Sequence, residues 1–308
     1  MKAVIYCFSG TGNTRIVSDM LCRELDKKDI HTDVISFDYK SYSDKDYPSP
    51  EEYDIVGIAY PIYGFNAPFL VNRFVKKLPV CKTGKKAFVI KTSGEPFKLN
   101  NPSSSYIKRQ LSKKGYNVTY EKHFLMPYNI MFRYPNALAK QMYRYADSYS
   151  AVSAHQIATG EKFLYKVGLA GAVMSFICKL VWIGGPIIGL TYHAKKNKCT
   201  KCGLCAKNCP MGNISMTKKD GRPKFKGHCM ICMRCVMKCP SDAIHAGILN
   251  PWKVNGSYKF DQILADTSIT SDFVNDDTKG YFKNFKSYFD SMDDDFKAYG
   301  IESPRSLT

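Results

Sequence analysis

Along the first 160 residues, short apolar runs alternate with amphipathic stretches. Residues 2–8 are apolar and β-branched, and they lead into S-G-T-G-N-T-R, after which an amphipathic pattern runs to about Lys28. This reads as strand, loop and helix. Further strand-like runs lie at residues 31–37, 53–60, 86–93 and 116–126, with helical patterns at 69–78 and 102–115. Strands that alternate with helices predict a doubly wound α/β domain, a parallel sheet covered on both faces. A long amphipathic helix over residues 136–162 is expected to complete it.

The pattern then changes. From Val167 to Tyr192 the only charge is Lys179, and Gly184, Gly185 and Pro186 interrupt the run. Its length suits one bilayer crossing, and two crossings would need about 20 residues each. One crossing would part the two halves of the chain, and the basic flanks (Lys162 and Lys166 before, Lys195, Lys196 and Lys198 after) give no preferred orientation. The segment is therefore expected not to cross. It is expected either to be buried between two domains or to lie shallowly at a membrane surface. Residues 261–308 hold ten acidic and five basic side chains, and G-Y-F-K-N-F-K-S-Y-F at 280–289 predicts a helix with an aromatic packing face. The organisation expected is thus 1–162, a connecting segment 163–194, a small domain 195–250 and a structural tail 251–308.

Twelve cysteines occur, eight of them within residues 199–239, while Cys7, Cys22, Cys81 and Cys178 sit in ordinary contexts. Such clustering points to metal in a reducing compartment rather than to a disulfide scaffold. From Cys199 the chain reads C-T-K-C-G-L-C-A-K-N-C-P, and from Cys229, thirty residues on, it reads C-M-I-C-M-R-C-V-M-K-C-P. One unit has been duplicated. In C-x2-C-x2-C-x3-C-P, three close thiolates wrap one cubane and the fourth cysteine ligates the other cluster. On that rule one cluster takes Cys199, Cys202, Cys205 and Cys239, and the other takes Cys229, Cys232, Cys235 and Cys209. Zinc is the competing reading, but a zinc ribbon needs four cysteines and leaves the other four and their prolines unexplained. Residues 195–248 resemble the bacterial two-cluster ferredoxins, a small α+β domain with two [4Fe-4S] clusters.

The loop after the first strand carries Ser9, Gly10, Thr11, Gly12, Asn13 and Thr14. Small hydroxyl-rich loops at helix starts hold phosphate, because free N–H groups and the helix dipole point at it. The third glycine of a dinucleotide fingerprint is replaced by Arg15, and no Walker lysine is present. Ser9, Thr11, Gly12 and Thr14 match the flavodoxin motif, and residues 1–160 resemble that family. The resemblance implies a flavodoxin-like fold with FMN at the carboxyl ends of the strands. It implies two ring-holding loops, one with Pro61, Tyr63, Gly64 and Phe65, the other with Ser93, Gly94 and Glu95. Taken together, the parts resemble flavodoxin and ferredoxin fusion proteins of anaerobic prokaryotes.

The formal charge of +18 raises the question of nucleic acid, yet the lysines are dispersed and no stacking motif accompanies them. A basic face for acidic redox partner proteins is the expectation, with peripheral membrane contact through 167–192 as a second one. No secretory signal precedes the first strand, so a cytoplasmic location is expected, peripheral at the inner membrane face if the segment meets lipid. None of His31, His123, His155, His193, His228 and His245 has a nucleophile partner in sequence. What the resemblance implies is an electron carrier that joins FMN to two clusters and serves a separate reductase. The alternatives are an FMN-dependent reductase that acts on a small organic substrate, and a redox-sensing interaction protein.

Overall fold

The computed structural model describes residues 1–44 and 47–307. In the first domain β1 (Lys2–Cys7), β2 (His31–Ser36), β3 (Ile55–Pro61), β4 (Lys86–Ser93) and β5 (Asn117–Leu125) form one sheet in the order β2-β1-β3-β4-β5. Every neighbouring pair is parallel. The central strand β1 shows why both faces must be covered. Ala3, Ile5 and Cys7 enter one core, and Val4 and Tyr6 enter the other. Helices α1 (Asn13–Asp26) and α5 (Asn136–Thr159) seal the first face, while α3 (Phe69–Lys77) and α4 (Ser105–Lys113) seal the second; the short α2 (Tyr39–Asp44) follows β2.

Helix α6 (Leu169–Leu190) bends by 46° between Leu169–Lys179 and Gly184–Leu190, just ahead of the glycine pair and Pro186 that open its second half. Among the described residues no single helix is long and apolar enough to cross a membrane, and this bent pair alone meets the length and composition of a span. At α6 the structure shows one face in contact with both domains and the other exposed. One face packs on both domains: a Cβ at Gly171 would lie 3.0 Å from Pro102, Ser175 Oγ donates to Asn66 Oδ1 at 2.7 Å, and Gly189 abuts Cys229. The other face, which carries the large apolar side chains, is open.

The second domain repeats itself in backbone as in sequence. Helices α7 (Leu204–Lys207) and α8 (Arg234–Met237) are offset by thirty residues, and so are the left-handed residues Lys201 and Ile231, Gly203 and Met233, and Gly212 and Asp242. Short ladders join β6 (His193–Ala194) to β9 (Ile244–His245) and β7 (Ile214–Met216) to β8 (Pro223–Phe225). A small core of Tyr192, Ile214, Phe225, Val236 and Ile244 backs the cysteines.

After α9 (Phe260–Ala265), the tail returns to the first domain. Its aromatic stretch begins as a 3-10 turn over Gly280–Phe285 and becomes α10 (Lys286–Tyr299). Phe289 meets Tyr145 of α5 at 4.6 Å between ring centroids, and Phe285, Met292 and Phe296 are buried beside it. Helix α5 is thus covered on two sides, which buries even its Gln141, Ser150 and Ser153.

Candidate functional site

Strand order reverses between β1 and β3, and the crevice beyond their carboxyl ends is where an open α/β sheet binds its ligand. A cavity of about 590 Å³ occupies this place. The loop from β1 to α1 supplies one wall. Gly12 caps α1 at φ 124°, a conformation that a residue with a Cβ rarely adopts. Ser9 Oγ accepts from the N–H groups of Gly12 (3.2 Å) and Arg15 (3.3 Å), which curls the loop around the helix start. Asn13 Nδ2 ties it to Pro127 O at 2.8 Å, and Thr14 Oγ1 lies 2.7 Å from Thr92 Oγ1. Ser9, Gly10, Thr11, Asn13 and Thr14 all line the cavity; Gly12 shapes it from behind.

The two further loops lie where the sequence puts them. Pro61, Tyr63, Gly64 and Phe65 line one side, in a turn closed by Tyr63 and Asn66, with Gly64 and Phe65 both left-handed. Ser93, Gly94 and Glu95 line another. Ser93 Oγ sits 2.7 Å from His123 Nε2, and burial with the nearby Lys91 and Lys122 cations pushes that imidazole down to about 3, so it is neutral. The tail supports this loop: Tyr281 donates to Glu95, and Tyr134, whose backbone N–H donates to Tyr258 Oη at 2.7 Å, donates its hydroxyl to Gly94 O at 2.9 Å.

Sequence reasoning missed two walls. The loop after β5, Pro127 to Met131, lines the cavity, and the signal available was its place at the end of the fifth strand. The second wall comes from outside the domain: Gly185 and Ile188 of α6, Met230 and Ile231 of the second cysteine motif, and Leu249. No local pattern announces such a contact.

The domains are joined at this wall. Arg234, between Cys232 and Cys235, donates from Nε to Gly10 O at 2.5 Å, from Nη2 to Ser9 O, and from Nη1 to Asn208 O at 2.9 Å. Asn129 Nδ2 donates to Cys232 O at 3.3 Å. The Tyr63 hydroxyl is fully buried beside Gly10 and Cys232. It makes no hydrogen bond of normal geometry among the described residues, although the Asn129 side chain lies near it. A buried, orphaned hydroxyl at a cavity wall is a place for a ligand's polar atom.

The cysteines fall into two neighbourhoods. Burial pushes the Cys235 thiol well up, helped by its neighbours Cys232, Cys229 and Cys209, and then by Cys205. Cys229 is raised to about 12 by burial, with Cys232 and Cys209 beside it, whereas Cys205 has Cys202 and Cys239 as neighbours. Backbone N–H groups also repeat: Asn213 N donates to Cys209 Sγ at 3.3 Å and Ala243 N to Cys239 Sγ at 3.2 Å. Hydrogen bonds of this kind tune cluster potentials.

Fold and motif together define a doubly wound domain of flavodoxin-like strand order followed by a 4Fe-4S dicluster domain. The family model of the 4Fe-4S dicluster domain matches residues 198–244. NADH-quinone oxidoreductase subunit I 2 of Symbiobacterium thermophilum is 32% identical over 77 residues, which is 21% of this chain and 32% of that protein. The chain therefore spans about a third of the length of this curated relative. Among solved structures, a flavodoxin from the domain Archaea is 15% identical over 51% of this chain and 99% of its own, with a TM-score of 0.36. Flavodoxin 1 from Bacillus cereus is 17% identical over 50% and 98%, with a TM-score of 0.34.

Proposed function

We propose that this chain is an electron carrier in which the second cysteine motif hands electrons across the domain junction to the flavin pocket. The observation that carries the reading is that Met230 and Ile231, inside C-M-I-C, line the same cavity as Ser9 to Thr14. Cys229, Cys232, Cys235 and Cys209 hold the inner cluster, and Cys199, Cys202, Cys205 and Cys239 the outer one. The loop from Ser9 to Thr14 holds the FMN phosphate, and the loops at Pro61 to Phe65 and Ser93 to Glu95 hold the ring. When bound, each cluster exchanges one electron and FMN one or two.

The protein's own contribution is position and shielding. Arg234 fixes the inner motif to the phosphate loop with charge-assisted hydrogen bonds, which are stronger than neutral ones. Cys202 is exposed, with the exposed Lys201 and Lys207 nearby in sequence, so the outer cluster faces a partner protein with an acidic docking surface. That partner is the electron donor, and the separate reductase that the carrier serves takes its electrons from the flavin.

The test is anaerobic reduction of the loaded chain by a one-electron protein donor. Cys202→Ser and Cys232→Ser are each expected to stop FMN reduction by that donor, while dithionite still bleaches the flavin directly. A second reading, an FMN-dependent reductase of a small organic substrate, is favoured by one observation: the cavity reaches the surface at Met131, which is 49% exposed. Turnover of an organic acceptor without any protein partner downstream would select it.

A further inference from the structure

Helix α6 is built inside out. Its protein-facing side consists largely of small residues, Gly171, Ser175, Gly185 and Gly189, while Leu169 (82% exposed), Phe176 (73%) and Ile187 (68%) point outward, with Val173, Ile177 and Leu190 among them. Residues 169, 173, 176 and 177 form one stripe at helical spacing. Ile248, 62% exposed on the turn that touches the end of α6, extends the same surface. Contiguous apolar surface on this scale marks an interaction site.

Charge identifies the occupant. No acidic residue occurs between Glu161 and Asp220, and Lys162, Lys166, Lys179, Lys196 and Lys198 are all exposed around or on α6. Apolar side chains ringed by lysines match the lipid headgroup region, where the apolar face enters the acyl boundary and the cations meet anionic headgroups. A second copy fits poorly, because it would bring one basic face against another.

We propose that α6 docks this chain on an anionic lipid surface, lying in the plane of the interface. This goes beyond the electron-transfer reading and does not depend on it. The helix stays on the protein as it docks: Asn66 Nδ2 donates to Ser175 O at 2.9 Å in addition to the Ser175 hydroxyl bond, and Gly189 remains packed on Cys229. The bend ahead of Gly184 lets both halves follow the protein surface. Because Gly185 and Ile188 line the cavity, α6 becomes a single wall with cofactor on one side and lipid on the other.

The experiment is sedimentation of the full, cofactor-loaded chain with sealed vesicles of phosphatidylglycerol and phosphatidylcholine, or of phosphatidylcholine alone. Partition into the anionic vesicles is expected to be about tenfold the stronger and to weaken with salt. The double variant Leu169→Gln, Phe176→Gln should lose about tenfold in partition. Val80→Gln, at an exposed site outside α6, should lose none. Flavin absorbance and iron content, unchanged in all variants, report that the fold is intact. Absence of binding, equal binding by the double variant, or lipid-free dimerisation that the double variant abolishes would each overturn the proposal.

Discussion

Arg234 donates from Nε to the carbonyl oxygen of Gly10 at 2.5 Å, so a residue inside a cluster motif holds the backbone of the phosphate loop. The same guanidinium reaches Asn208 O, next to Cys209. One side chain therefore links the loop assigned to FMN with both ends of the inner thiol set. Lysine cannot reproduce this, because the three bonds use the planar fork.

Arg234→Ala is expected to leave the iron content at about eight per chain, since all eight cysteines remain. It removes charge-assisted hydrogen bonds worth about 1.5–3 kcal/mol each. FMN affinity should fall by at least about tenfold, and reduction of FMN through the clusters should slow, as followed by stopped-flow absorbance. Arg234→Lys should recover little of either. Wild-type rates in both variants would show that the junction is held by other contacts.

At the phosphate loop, Thr14→Val keeps the shape of a fully buried residue and removes the hydroxyl that faces Thr92 Oγ1. Loss of one such hydrogen bond should weaken FMN by about fivefold to tenfold. Gly12→Ala should weaken it more, since φ 124° strains any residue with a Cβ. Quenching of FMN fluorescence by the apoprotein measures both. Riboflavin, without the phosphate, should respond little to either change, and equal losses for the two ligands would remove the loop from the phosphate.

Gly189 packs on the inner cluster's motif, and a Cβ there would fall 2.1 Å from Cys229 Cβ. Gly189→Ala must therefore displace a cluster ligand or the helix. The expected outcome is loss of about four irons per chain, with the outer cluster retained. EPR of the reduced protein would show the magnetic interaction between the clusters vanish. Retention of both clusters with an unchanged spectrum would mean that α6 yields instead.

These contacts mark what could be read along the chain and what could not. The strands, the helix that closes the first domain, the glycine and hydroxyl loop after β1 and the duplicated cysteine spacing all rest on local periodicity or fixed spacing, and the sheet brings Ser9, Pro61 and Ser93 to one crevice. Arg234, Ile231 and Gly189 carry no such signal. Inside a cysteine motif an arginine reads as solvent-facing, and a glycine in an apolar helix reads as a simple break. Their roles arise from the docking of two domains that lie more than 200 residues apart at Gly10 and Arg234. The outward apolar face of α6 was equally hidden, because periodicity does not say which side of a nearly uniform helix the small residues will turn inward.

Lys122 on β5 provides a test of the first domain's electrostatics. Its side chain is 7% exposed, its Nζ lies 3.5 Å from the Tyr149 ring centroid, and the Asp295 carboxylate is 3.9 Å away. Burial pushes its ammonium down to about 7, against the opposing pull of Asp295. In the unfolded chain the ordinary value is about 10.4. Between about pH 7 and pH 10 the unfolded state thus binds more protons at this residue than the folded state, and stability rises with pH. Below pH 7 both states are protonated, and the cost of the buried charge is fully present. Lys91, pushed down to about 8 mainly by burial, acts in the same direction and remains in the variant. Lys122→Met fills the same space without a charge, and Asp295 keeps its hydrogen bond from Tyr149. The variant should gain stability relative to wild type at pH 6, and that advantage should shrink by on the order of 2 kcal/mol at pH 9. Anaerobic urea unfolding of the loaded protein, followed by flavin fluorescence at both pH values, measures the difference. The same advantage at both pH values would mean that Lys122 is charged throughout this range, with Asp295 and the Tyr149 ring outweighing its burial.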